Sequence, residues 1–124
     1  AAHRVLIVDD EELVALTLQA GLEKLPNCEV VIATRGDQAL QLFEKRPFDL
    51  LITDYRMPGA DGMTLARQVR QRYPQTVVIM ITAYGDHDLR ELAARASIRC
   101  ILDKPVSLEE IRQVTLEAFS QPGS

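Results

Sequence analysis

Five polar side chains in this sequence share one property: each follows closely on a short apolar run. Asp9 and Asp10 follow Arg4–Val8, Asp54 follows Leu50–Thr53, Thr82 follows Thr76–Ile81, and Lys104 stands just beyond Cys100–Leu102. Apolar, β-branched runs bounded by turn residues read as buried strands. Each group is therefore expected where a strand leaves a sheet, which is where ligands bind in open α/β sheets. Three carboxylates gathered at one edge repel one another and raise each other's pKa. A hard divalent cation offsets that charge, and Mg2+ suits a site with few protein carboxylates and several waters. Lys104 adds a fixed positive charge and Thr82 a hydroxyl donor. Together these are the parts needed for phosphoryl transfer to an aspartate. The carboxylate attacks phosphorus in line while cation and lysine neutralise the equatorial oxygens. The product would be an acyl phosphate on Asp54. Singly, each residue has a plainer use: an acidic pair starts helices, an Asp at a strand end turns or caps the chain, and Lys-Pro is common punctuation. Only the combination points to chemistry.

The elements that must position these groups alternate strictly. After strand Arg4–Val8, the residues Val14, Leu18, Leu22 and Leu25 are spaced for one buried helical stripe, which Pro26-Asn27 stops. Glu29–Ala33 is the second strand. Thr34 with Asp37 resembles a capping box, and Ala39, Leu40 and Phe43 give that helix its inner face until Pro47 ends it. The third strand is Leu50–Thr53, and Pro58, Gly59, Asp61 and Gly62 supply turn signals beyond it. Gly62, Leu65, Ala66, Val69 and Tyr73 mark a third helix, ended by Pro74. Thr76–Ile81 is the fourth strand. The loop from Thr82 to Gly85 leads to Asp86 as N-cap, and Leu89, Leu92, Ala93 and Ala96 line a fourth helix. A short fifth strand, Cys100–Leu102, precedes a last helix with Ser107 and Glu110 as a capping box and Leu108, Ile111, Thr115 and Ala118 along one face.

Strands that are apolar on both faces need helices above and below them. The expectation is an α/β, flavodoxin-like (βα)5 doubly wound parallel sheet of strand order 2-1-3-4-5. That order sets Asp9 and Asp10 beside Asp54 and brings Thr82 and Lys104 to the same edge.

Composition narrows the class. The 124 residues fit one domain, over residues 1–120, with linker character in Gln121–Ser124. An apolar fraction of 47% with 26% charged residues describes a globular domain, and no apolar run approaches a membrane span. No signal peptide precedes the first strand, so a cytoplasmic location is expected. A net charge of −4 argues against gripping nucleic acid through a basic surface. Cys28 and Cys100 lack metal-type spacing and read as free, buried thiols. His3 and His87 read as surface residues, Met57, Met63 and Met80 as packing elements, and Arg67, Arg70 and Arg72 as a solvated basic face.

Asp9-Asp10, Asp54 within Asp54-Tyr55-Arg56-Met57-Pro58, Asp61-Gly62, Thr82-Ala83 and Lys104-Pro105 together carry a resemblance. Over nearly its whole length the chain resembles the receiver domain of two-component response regulators. The resemblance implies that a sensor histidine kinase donates the phosphoryl group from a phosphohistidine to Asp54. It implies that Asp10, Asp54 and the main-chain carbonyl of Arg56 ligate Mg2+, with Asp9 reaching it mainly through water. It makes Thr82 the switch hydroxyl and Lys104 the phosphoryl partner, and it implies a cis peptide before Pro105. The domain would be no enzyme beyond its own phosphorylation and dephosphorylation. The face of the fourth helix, fifth strand and fifth helix would control an output domain or downstream protein, with a homodimer through that face as one form; the domain itself would bind neither nucleic acid nor membrane.

Three residues, at two places in the chain, depart from the family pattern. Ile101 stands where strand five usually carries a switching aromatic, and Ser97-Ile98 replaces the usual Gly-Ala, so Ser97 is expected to strain or alter a left-handed turn. Arg56 and Tyr84 flank the approach of a hydrolytic water and are expected to shield the phosphoryl group. Two other readings use the same residues. One is a small Mg2+-dependent aspartate-nucleophile phosphatase of the haloacid-dehalogenase type. That type needs a second Asp two positions after a nucleophile ending strand one, where this chain has Glu11. The other is a receiver-shaped binding module that signals without phosphate.

Overall fold

The structure, a computed structural model, describes residues 2–57, 61–83 and 87–121. Strands and helices alternate: β1 (His3–Val8), α1 (Glu12–Leu22), β2 (Cys28–Ala33), α2 (Gly36–Lys45), β3 (Leu50–Asp54), α3 (Gly62–Arg72), β4 (Val77–Thr82), α4 (His87–Arg95), β5 (Cys100–Asp103) and α5 (Leu108–Ser120). The strands form one parallel sheet in the order β2-β1-β3-β4-β5. Both the element order and the topology match the expectation. Three strands run one residue further than their apolar stretch. β3, β4 and β5 end on Asp54, Thr82 and Asp103, because backbone pairing of Asp54 with Ile81 and of Thr82 with Asp103 continues past the last apolar side chain.

Alternation along the strands splits the core into two layers. Leu6, Val8, Leu51, Val78 and Met80 face Phe43 of α2, Leu65, Ala66 and Val69 of α3, and Leu89 and Ala93 of α4. Val5, Ile7, Leu50, Ile52, Ile79 and Ile81 face Ala15, Leu18 and Leu22 of α1 and Ile111 and Ala118 of α5. Burying an aliphatic side chain contributes roughly 1.5–3 kcal/mol, so both faces of the sheet are held by the helices that cover them. α1 and α5 are also stapled directly: Arg112 Nε donates to the Gly21 carbonyl at 3.1 Å.

Helix ends agree with the sequence in some places and correct it in others. Ser107 Oγ accepts from the Glu110 N–H at 3.0 Å, as the capping motif requires. The Thr34–Asp37 capping box does not form. α2 begins from an N-cap at Arg35 with no side-chain cap bond. Asp37 instead takes both arms of the Arg35 guanidinium, at 3.0 and 2.8 Å, and the Thr34 N–H goes to Gln38 Oε1 at 3.0 Å. A forked guanidinium is the stronger partner for a carboxylate. At the end of α4, Ser97 takes φ of 59°, the left-handed conformation that glycine adopts most easily, so the turn is kept and Ser97 carries the strain expected of a side chain there. Its N–H bonds to the Ala94 carbonyl while the Ile98 N–H bonds to that of Ala93. That pair of bonds is a Schellman motif with Ser97 at C′.

Other side chains divide similarly. Met57, Met63 and Met80 are packing elements in the core. Arg70 does more than face solvent: its guanidinium donates to the carbonyls of Pro74 and Thr76, closing the turn into β4. His3 is half-buried, its ring stacked on Phe119 at 4.1 Å. Cys28 and Cys100 are free, but half-buried rather than fully buried. Burial pushes both thiols above their ordinary pKa. Among the described residues, no helix is long and apolar enough to cross a membrane. The turn at Pro58 and Gly59, the Asp86 cap and Tyr84 lie outside the described residues.

Candidate functional site

The sheet ladder continues one step beyond the strands at the edge where the polar residues sit. The Asp9 N–H bonds to the Ala33 carbonyl, that of Tyr55 to Ile81 and that of Lys104 to Thr82. Asp9, Asp54 and Lys104 are therefore carried on or beside paired backbone. Gly62, the first residue of α3, tightens the edge further. Its N–H bonds to the Tyr55 carbonyl at 2.7 Å. A Cβ at Gly62 would stand 2.0 Å from the Asp54 carbonyl oxygen, so only glycine lets α3 lie this close to the end of β3.

Three carboxylates meet one ammonium there. Lys104 Nζ lies 3.1 Å from each of Asp9 Oδ2, Glu11 Oε1 and Asp54 Oδ2. Its contacts with Glu11 and Asp54 are hydrogen bonds. The approach to Asp9 Oδ2 is a charge contact without hydrogen-bond alignment, and that buried oxygen accepts no hydrogen bond. The other oxygen, Asp9 Oδ1, accepts the Glu11 N–H at 2.9 Å. The Asp9 and Asp54 side chains are 2% and 8% exposed, whereas Glu11 is 63% exposed at the mouth. Ligand oxygens of Asp9, Glu11 and Asp54 all lie within 4.8 Å of one another.

The electrostatics follow from that crowding. Burial pushes the Asp9 carboxyl above the ordinary carboxylate range. The Glu11 N–H and Lys104 oppose this shift, and the charge of Asp54 adds to it. Burial works against the Lys104 ammonium, but its contacts with the carboxylates of Asp54, Glu11 and Asp9 override that and hold the group above the ordinary lysine value. Lys104 therefore stays charged, and the mouth keeps two more carboxylates than cations within this set.

Of the residues singled out by sequence, Asp9, Asp54 and Lys104 converge. Thr82 ends β4 beside them, buried and with its carbonyl bonded to the Lys104 N–H. Asp10 is exposed and stands outside the set of three carboxylates. The Arg56 side chain is exposed, its guanidinium 5.8 Å from the centre of the Tyr55 ring. The peptide from Lys104 to Pro105 is cis, as expected. Glu11 is the residue that sequence reasoning missed as a member of the site. Its signal was its place as third acid of the run Asp9-Asp10-Glu11.

This donor set fits a hard divalent cation. All the converging ligand atoms are carboxylate oxygens, they carry excess negative charge, and one buried oxygen lacks a hydrogen bond. Beside the site, Glu11, Leu13, Val14, Thr17, Leu18, Lys104, Pro105 and Val106 line a groove of about 450 Å³.

A family model described as the response regulator receiver domain matches residues 5–116. The chain is 40% identical over 121 residues to the response regulator protein PilR of Pseudomonas aeruginosa, covering 94% of this chain and 26% of PilR. It is 33% identical over 119 residues to a probable chemotaxis protein CheY of Rhizobium etli, covering 94% of this chain and 92% of that protein. The crystal structure of a CheY-like receiver domain protein from Methanospirillum hungatei superposes with a TM-score of 0.92 at 25% identity, covering 98% of this chain and 96% of the other. The receiver domain of an HD domain-containing protein from Pseudomonas fluorescens superposes at 0.91 with 32% identity, covering 97% of this chain and 96% of that domain. The chain thus spans about a quarter of PilR and nearly all of the CheY protein.

Proposed function

Because the chain belongs to the response regulator receiver domain family, we propose that it is a phosphorylation-dependent signalling receiver whose phosphoacceptor is Asp54. The observation that carries this reading is the meeting of Asp54 with Lys104 at 3.1 Å, between the ends of β1, β3 and β5.

A sensor histidine kinase presents a phosphohistidine. An Asp54 carboxylate oxygen attacks phosphorus in line, the P–N bond breaks, and the imidazole nitrogen keeps the electron pair and takes up a proton. Lys104 transfers one of its ammonium hydrogen bonds to a phosphoryl oxygen, and the Thr82 hydroxyl donates to another. Asp9, Asp10, Asp54 and the Arg56 carbonyl would hold Mg2+. When bound, that ion supplies positive charge against the phosphoryl oxygens. The Asp9 oxygen that lacks a hydrogen bond and the excess carboxylate charge support Asp9 and Asp54 as members of this set. The exposed Arg56 side chain, on the loop beyond β3, would shield the acyl phosphate from water.

Phosphorylation adds roughly one to two negative charges and three acceptors at Asp54. Thr82 turning inward would pull the loop after β4 and reshape the face of α4, β5 and α5. Ile101 packs partly buried against the layer under α2, α3 and α4. Lacking a ring to swing, it leaves the loop and α4 to carry the signal. An output domain or downstream protein that prefers the reshaped face shifts the population, in the cytoplasm. PilR, of which this chain spans a quarter, fits such an attached output.

Incubation with acetyl phosphate and Mg2+, followed by intact mass, tests the reading. One phosphoryl adduct is expected on the wild-type protein and none at the native site in Asp54→Asn. Equal labelling of both would reject Asp54 as the acceptor, and sustained turnover of a small phosphate ester would favour the phosphatase.

A further inference from the structure

Glu11 has a carboxylate that no helix uses. It occupies the N-cap position of α1, where Ser, Thr, Asp or Asn normally bonds an orphan N–H of the first turn. Glu11 makes no such bond. Its own N–H is taken by Asp9 Oδ1, and its side chain turns away from the helix to Lys104. A surface ion pair is a weak reason for that arrangement, since Glu11 is 63% exposed and Lys104 already has two buried carboxylate partners. What distinguishes Glu11 is where its carboxylate sits: one of its oxygens lies within 4.8 Å of a carboxylate oxygen of Asp9 and of Asp54, and the buried Asp9 Oδ2, 3.1 Å from the ammonium, accepts no hydrogen bond.

We propose that Glu11 is a positioning residue for the divalent cation. At rest it holds Lys104; when the cation enters, it exchanges that ammonium for the metal, as a ligand or through one bound water. The inference rests on the receiver reading above and adds to the ligand set a residue outside the Asp9, Asp10, Asp54 and Arg56 group. The exchange has a physical basis. Lys104 must turn toward a phosphoryl oxygen to meet it, and of its three carboxylate contacts only Glu11 is exposed enough to let go without opening the sheet edge. A doubly charged ion entering among these oxygens attracts the departing carboxylate more strongly than a single ammonium does. Glu11 also lines the groove with Leu13 and Val106, so the exchange would change the charge at the groove's mouth as the cation loads.

Glu12 provides a matched control. It is exposed in the first turn of the same helix, carries the same charge and lies outside the set of three carboxylates. Titration calorimetry of Mg2+ into the unphosphorylated wild type, Glu11→Gln, Glu11→Asp and Glu12→Gln separates a local role from the general field. We expect Glu11→Gln to bind about tenfold more weakly, as removing one charge roughly 4–5 Å from a divalent ion implies after screening. Glu12→Gln should stay within about twofold, and Glu11→Asp should recover part of the loss by keeping the charge. Equal weakening in Glu11→Gln and Glu12→Gln, or unchanged affinity in Glu11→Gln, would overturn the inference while leaving the receiver reading intact. No Mg2+ binding by the wild type would overturn both.

Discussion

Replacing Gly62 with alanine tests whether the close approach of α3 to β3 sets the position of Asp54. The added Cβ would meet the Asp54 carbonyl oxygen at 2.0 Å, the carbonyl carbon at 2.9 Å and Tyr55 Cα at 3.0 Å. All three are backbone atoms, so no rotamer change relieves the clash. The contact must open from 2.0 Å toward an ordinary 3.4 Å by moving either the start of α3 or the peptide that carries Asp54. Overpacking of a fixed core costs about 1–3 kcal/mol, and a clash with backbone belongs at the upper end. We expect Gly62→Ala to lose about 3 kcal/mol, read as a lower urea midpoint at unchanged slope. The same displacement shifts the Asp54 carboxylate relative to Lys104, now 3.1 Å away. A misplacement of about 1 Å costs on the order of 100-fold in a positioned reaction, so labelling by acetyl phosphate should slow by about that factor. Gly21→Ala supplies the contrast. Its Cβ would also be crowded, at 2.7 Å, but by Cδ2 at the end of the half-buried Leu108 side chain, which can turn aside. Alanine gains up to about 1 kcal/mol over glycine in a helix interior and less in the last turn, where Gly21 stands, so Gly21→Ala should unfold within about 1 kcal/mol of wild type. A Gly62→Ala protein within about 0.5 kcal/mol of wild type and labelled at the normal rate would refute the reasoning. So would equal destabilisation by both variants.

Two further outcomes follow from the helix ends. Ser97→Gly removes the penalty of a side chain at φ of 59° and should stabilise the domain by roughly 0.5–1 kcal/mol, raising the thermal midpoint by a few degrees. A midpoint that fell would show that Ser97 contributes something its backbone conformation does not reveal. Ser107→Ala removes the bond to the Glu110 N–H and should cost about 1 kcal/mol in urea unfolding, whereas Ser107→Asp should retain most of the stability by capping the same donor.

Much of the architecture was legible because it rests on local pattern. Apolar runs broken by Pro and Gly marked the five strands, and their lack of a polar face required helices on both sides of the sheet. Right-handed crossovers left few topologies, and the flavodoxin-like order 2-1-3-4-5 among them, which the structure adopts, brings Asp9, Asp54 and Lys104 to one edge. Local contests between partners were less legible. The spacing of Thr34 and Asp37 suggested a cap, but Arg35 stood nearby with a better geometry for the carboxylate. Arg70 read as one of three solvated arginines, yet carbonyls of the turn that follows lay within its reach.

By itself the sequence determined which residue types reach the sheet's carboxyl edge, because strand periodicity and chain crossover are properties of the backbone that side-chain patterns report directly. Only the tertiary structure decided which oxygens face one another across that edge. Asp10 and Glu11 are neighbours in an acidic run and look equivalent on paper, yet it is Glu11 whose side chain meets Lys104, 93 positions away. The direction in which a side chain leaves the first turn of a helix depends on where the backbone twists and on the partner a distant strand brings to it. Neither is written in the order of the acids.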